Sequence, residues 1–150
     1  MVNALIYASH SLLDPPGNAG QLEDIRSVSL ARNSTIELTG FLIATPMLFT
    51  QYLEGEQAAL DAVMASIRAD PRHCDLREVA LPAIEHRRCP AWRMTTFEPG
   101  SFVSRHLEPA IERFHADPTQ RNLTHILRFM ENWGPFGFWM DRSVGDARPL

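Results

Sequence analysis

Two apolar runs, residues 39–45 and 48–53, are separated only by Pro46 and Met47. So short a gap between two strand-like runs predicts a hairpin. A segment with helical spacing lies on either side of it. Residues 21–33 bring Leu22, Ile25, Val28 and Ser29 near one face, and Asn33 falls where that helix is expected to end. Residues 56–70 set Leu60, Val63, Met64 and Ile67 on one stripe, with Glu56 expected in the first turn and Pro71 stopping the helix. A short apolar run at 2–7 comes before the first helix, and Asp14-Pro15-Pro16-Gly17-Asn18 forms the loop between them. Residues 76–84, broken near their end by Pro82, and residues 92–97 read as two further strands. The resulting order is β-α-β-β-α-β-β. It predicts an α+β, ferredoxin-like βαββαβ unit with an added fifth strand and both helices on one face of the sheet.

After Pro99 and Gly100 the pattern changes. Residues 102–114 and 123–133 read as helices with a turn at Asp117-Pro118, and the tail from Gly134 is rich in Gly, Pro and aromatics. The expected division is a first domain over 1–98 and a C-terminal helical extension over 99–150, packed on the sheet. About 50 residues are too few for a cyclase or phosphodiesterase unit, so the chain is expected to signal by contact rather than by catalysis.

Composition narrows the class. A chain of 150 residues with 45% hydrophobic content suits one domain with a real core. A net charge of −4 gives no basic excess for nucleic acid. No run of about 18 apolar residues suggests a membrane span, and the N-terminus does not read as a signal peptide. A cytoplasmic location is expected, with Cys74 and Cys89 as free thiols and no metal site.

The chemistry is less explicit. In the run 48–53, Gln51 shares a face with Phe49 and Leu53, which should be the helix-covered core. A buried amide needs partners for both its carbonyl and its amine. On pattern alone, a structural glutamine satisfied by backbone or water is the commoner outcome. Tyr7 ends an apolar strand, and in this topology its strand should lie beside that of Gln51. Asn33 is in register with Ile25 and Ser29, so the three share a helix face; a C-terminal asparagine is its bland reading. Trp92 and Met94 point the same way from the last strand, and alone they read as core. Arg72 and His73, at a helix exit, suit either phosphate contact or a solvated basic pair. No Walker loop, dinucleotide fingerprint or catalytic triad is evident.

Taken together and in order, these residues resemble the BLUF family, sensors of blue light using FAD. The resemblance runs over residues 2–97. It is carried by Tyr7-Ala8-Ser9, Ala31-Arg32-Asn33, Leu38-Thr39-Gly40-Phe41-Leu42, and Phe49-Thr50-Gln51-Tyr52-Leu53-Glu54-Gly55-Glu56. Asp70-Pro71-Arg72-His73, Arg87 and Trp92-Arg93-Met94 complete it.

The resemblance implies a flavin between the two helices, FAD first, with FMN or riboflavin as alternatives. Ile25 and Ile67 would flank its ring, and Ser29 shares their cleft. Asn33 would bond its polar edge, and Gln51 would sit between that edge and Tyr7. Arg72 and His73 would lie toward the ribityl and phosphate end. Trp92 and Met94 would form a movable wall beside Gln51 that passes the signal on. Implied partners are further copies of the chain and a downstream protein. A ferredoxin-like small hydrolase using Arg72 and His73, or a ligand-binding module without photochemistry, are the alternatives.

Overall fold

The computed structural model describes residues 1–98 and 100–132. Its elements are β1 (Val2–Ser11), α1 (Ala19–Thr35), β2 (Thr39–Ala44), β3 (Leu48–Gly55), α2 (Gln57–Ala69), β4 (His73–Ile84), β5 (Trp92–Thr96), α3 (Phe102–Ala116) and α4 (Gln120–Asn132). The strands form a single five-stranded sheet in the order β4-β1-β3-β2-β5. β1 and β3 lie antiparallel at its centre, and β5 joins β2 in parallel at one edge.

Every residue of β3 is buried, because both faces of the sheet are covered. The period of two along a strand sorts the core into two layers. Leu5, Leu42, Phe49 and Leu53 pack with Leu22 of α1 and with Leu60, Val63 and Met64 of α2. Ile6, Ile43, Leu48 and Tyr52 point the other way, onto Leu107, Ile111 and Phe114 of α3 and Leu123, Ile126 and Leu127 of α4. The sheet is thus the middle of three layers, and its two faces carry different business.

Several boundaries differ from the sequence reading, each for a physical reason. α1 begins earlier because the Asn18 side chain accepts a hydrogen bond from the backbone N–H of Gln21 at 3.1 Å. It ends at Thr35, which leaves Asn33 inside the helix. Glu56 is the N-cap residue of α2, with extended backbone and no side-chain capping bond, rather than a member of the first turn. β1 runs on past Tyr7, because the fully buried Ser9 hydroxyl finds a partner in His73 at 2.7 Å. β4 absorbs Pro82 because it is an edge strand and slips by one residue there: Ala4 pairs with Leu81 but Val2 with Ile84. The expected end of the last helix at Trp133 and the aromatic stretch 133–139 lie outside the described residues.

Gly40 of β2 has no substitute in this fold. Its φ of 148° suits glycine, and a Cβ there would lie 2.0 Å from the carbonyl oxygen of Tyr52. The residue pairs with Trp92, so this close approach of β2 to β3 lies next to the indole.

Candidate functional site

Strand register builds the centre of the site. Tyr7, Gln51, Leu42 and Met94 lie opposite one another across β1, β3, β2 and β5. Gln51 is buried, at 4% exposure, and both ends of its amide are engaged. Its Nε2 donates to the Tyr7 hydroxyl at 2.8 Å, and its Oε1 accepts from the Trp92 Nε1–H at 2.8 Å. An indole N–H is only a donor, so it must face the carbonyl end of the amide. With Trp92 buried here, the orientation of Gln51 is therefore forced. Burial raises the Tyr7 pKa well above the ordinary phenol range, although the bond from Gln51 pulls the other way. Tyr7 is a phenol with its proton on.

Above this row lies a cleft between α1 and α2, with about 580 Å³ of open space including its mouth. Ile25 and Val28 face it from α1 and Ile67 from α2, with Tyr7, Phe49 and Gln51 also lining it. α1 buries only Leu22 and Asn33 among its 17 residues. Its apolar Ile25 and Val28 both line the cleft, Ile25 half-buried at the margin of the core and Val28 55% exposed. Ser29, in the same register, also lines the cleft.

Asn33 is 1% exposed, and its Oδ1 accepts a 3.4 Å bond from Arg32 Nε. Its Nδ2 is a buried polar atom with no partner among the described residues. Leaving such a donor unmet costs about 1–3 kcal/mol. A flat, largely apolar ring system with an acceptor-bearing edge matches both the apolar flanks and this unmet donor. The residues present therefore fit a flavin.

Arg72 and His73 line the same cleft, but their polar atoms have internal partners. The Arg72 guanidinium bonds the Asp70 carboxylate at 2.7 Å and Asp24 of α1 at 2.9 Å, which ties the two helices together. Partial burial pushes the Asp70 carboxyl up, yet its bonds from Arg72 outweigh that and hold it below the usual range. The His73 ring spans from the Ser9 hydroxyl to the backbone carbonyl of Ile67. Since that carbonyl only accepts, Nε2 carries a proton. A neutral ring then takes the Ser9 proton at Nδ1. Met94 packs half-buried in the same apolar layer as Trp92.

Sequence reasoning missed two features. Arg32 lines the cleft, half-buried beside Asn33; its signal lay in the Ala31-Arg32-Asn33 run. Glu54 is completely buried on the other sheet face. Its carboxylate accepts from the Tyr52 hydroxyl at 2.8 Å, the Thr39 hydroxyl at 3.0 Å, and the backbone N–H groups of Arg88 and Cys89 at 3.0 and 2.7 Å. Arg87 joins by donating to Thr39 Oγ1 at 2.9 Å. Burial first, and the neighbouring Glu54 second, push the Tyr52 phenol and the Cys89 thiol far up. This cluster fastens the segment that delivers Trp92. Its sequence signals were a charged residue inside an otherwise buried strand and the places of Glu54 and Arg87 in the runs that carry the resemblance.

Comparison with known proteins gives the same class. A family model described as sensors of blue light using FAD, BLUF, matches residues 2–95. Over 69 residues the chain is 41% identical to photoactivated adenylate cyclase subunit alpha of Euglena gracilis, covering 46% of this chain and 7% of that protein. It is 32% identical over 88 residues to the blue light- and temperature-regulated antirepressor BluF of Escherichia coli strain K12, covering 59% of this chain and 21% of that one. The chain thus spans only a small part of the curated relatives it matches. The dark-state structure of BlrB, a BLUF protein, superposes with a TM-score of 0.66 at 29% identity, covering 85% of this chain and 92% of that one. The chain belongs to the BLUF family of flavin-binding blue-light sensors. No helix among the described residues is long and apolar enough to cross a membrane.

Proposed function

We propose that light is registered by the Tyr7–Gln51–Trp92 chain of hydrogen bonds and leaves the site through Trp92. The observation that carries this is the forced orientation of Gln51, donor end to Tyr7 and acceptor end to Trp92. FAD is the flavin proposed for the cleft, held by Ile25, Ser29 and Asn33 of α1 and Ile67 of α2. Arg72 and His73 stand at the ribityl and phosphate end. Bound there, the flavin supplies blue-light absorption and, when excited, an electron acceptor.

Tyr7 has both an electron and a proton to give, and its hydroxyl oxygen is bonded to an amide that has a donor and an acceptor end. Once Gln51 takes part in that transfer, its amide rotates or changes tautomer. Rotation sets its NH₂ against the Trp92 N–H, two donors face to face. The indole then loses its acceptor on Gln51 in a buried site and is driven out, and Met94, in register with Gln51 through Leu42, fills the space. The bistable element is β5, which leads into α3.

The signal passes by contact, through residues 99–150 or directly to a downstream protein, from a homo-oligomer in the cytoplasm. The unit at 1–98 senses and does not catalyse. The hydrolase alternative is disfavoured by the internal partners of Arg72 and His73.

Flavin titration of the apoprotein, followed by fluorescence quenching, separates holding from sensing. Asn33→Ala should weaken FAD binding by about tenfold, the equivalent of one lost hydrogen bond of about 1.4 kcal/mol. Gln51→Leu should bind FAD within a few-fold of the native chain. Equal affinity in Asn33→Ala, or loss of binding in Gln51→Leu, contradicts the roles assigned.

A further inference from the structure

At the sheet edge opposite Trp92, β4 slips a second time against β1. Ala8 pairs with Arg77, but His10 pairs with Cys74. β4 therefore carries one extra residue here, and Asp75 sits in the slip with φ of 53°. That left-handed conformation is uncommon for a residue with a side chain, and bulges re-aim side chains. In a regular strand Cys74 and Asp75 would point to opposite faces. Here Cys74 Sγ and Asp75 Oδ2 lie 3.8 Å apart, and His10 Nδ1 is 3.5 Å from the same oxygen.

One ligand atom from each of His10, Cys74 and Asp75 lies within 4.8 Å of the others. Tetrahedral zinc, with bonds of about 2.1 Å to nitrogen or oxygen and about 2.3 Å to sulfur, requires edges of about 3.4 Å (N–O) and about 3.6 Å (S–O). Two edges of the triangle are already near coordination length. The three side chains range from half-buried to exposed, so an ion can enter and solvent can hold the fourth position.

We propose that His10, Cys74 and Asp75 bind a borderline divalent transition ion such as zinc(II). A thiolate with an imidazole and a carboxylate selects zinc or cobalt over calcium or magnesium. On coordination the Cys74 thiol gives its proton to solvent. His115 of α3 supports the site from outside: its ring lies 4.4 Å from that of His10, and its Nε2 bonds the backbone carbonyl of Asp75. The ion would clamp β1 to β4 where α3 lands on the sheet.

The test is cobalt(II) titration of the full chain, flavin bound, freed of metal by chelator and kept dark. One cobalt per chain should give a thiolate charge-transfer band and intense tetrahedral bands at wavelengths beyond flavin absorption, and zinc(II) should bleach both. Cys74→Ser should remove the charge-transfer band and weaken binding by at least about tenfold, the size that even an outer-shell partner commonly carries. His10→Gln should weaken binding similarly while keeping the thiolate band. The flavin spectra of both variants serve as the check that they fold. Weak octahedral absorption alone, a thiolate band that survives in Cys74→Ser, or unchanged affinity in either variant overturns the proposal.

Discussion

The two ends of the Gln51 amide meet unlike partners, a phenol that accepts and an indole that can only donate. This asymmetry makes the residue a switch rather than a spacer. Gln51→Leu should abolish the light-induced spectral shift while the flavin stays bound; a normal cycle in that variant refutes the role. The phenols give a second expectation. Tyr7 and Tyr52 both have folded pKa values above the ordinary one, chiefly because they are buried. The folded chain therefore keeps two protons that the unfolded chain releases above about pH 10. These two groups should leave stability unaffected below that pH. Above it, stability should fall by about 1.4 kcal/mol per pH unit for each tyrosine. Tyrosinate absorbance should thus appear only together with alkaline unfolding. Ionisation of either phenol near pH 10 in the folded chain rules this out. Alternation along the run 48–53 made Gln51 legible in the sequence as a buried amide. Its partner Trp92 was not legible from the pattern, because the parallel pairing of β2 with β5 leaves no local trace.

At the scale of elements, β5 is the part proposed to move, and its entry is held by Glu54. That carboxylate receives two hydroxyl and two backbone N–H donors, so the segment before Trp92 is fixed at its far end while the indole rests on Gln51. Glu54→Ala should cost about 3 kcal/mol, since several buried donors lose their acceptor at once. Denaturant unfolding measures the loss, and amide exchange should quicken at Arg88 and Cys89. A change under about 0.5 kcal/mol places Glu54 outside the framework. Trp92→Phe removes the indole N–H but keeps an aromatic wall. It should leave the flavin shift in place and change the rate of dark recovery, and an unaltered rate denies Trp92 its part. The helices themselves were readable from apolar spacing and from Pro71. The full length of β4 was not, since Pro82 is accommodated by an edge position and a register slip that only the assembled sheet provides.

Across the whole molecule, the sheet couples two layers of different purpose. One face carries Tyr7, Gln51 and the cleft; the other carries Tyr52 and the seat of α3 and α4. β3 belongs to both, with Gln51 and Tyr52 as consecutive residues on opposite sides. The proposed movement of β5 against β2 would therefore be felt on both faces. Phe114 of α3 is fully buried in the second layer. Phe114→Ala should cost about 3–5 kcal/mol and lower the unfolding midpoint of the flavin site with it, because the layers share their strands. A flavin site that melts at its native midpoint in this variant separates the layers. The two-layer core followed from strand alternation. Packing of the C-terminal helices on the sheet was expected too, but the side chains that seat α3 and α4 on it were not legible, because an amphipathic pattern does not say which strand residues it meets.

The most direct measurement is the absorption spectrum of the flavin-bound chain before, during and after blue light, beside Gln51→Leu. The native chain should show a small red shift that reverses fully in the dark, and the variant should show the same flavin with no shift. A native spectrum that never moves, or a variant that shifts like the native chain, contradicts a light response centred on Gln51.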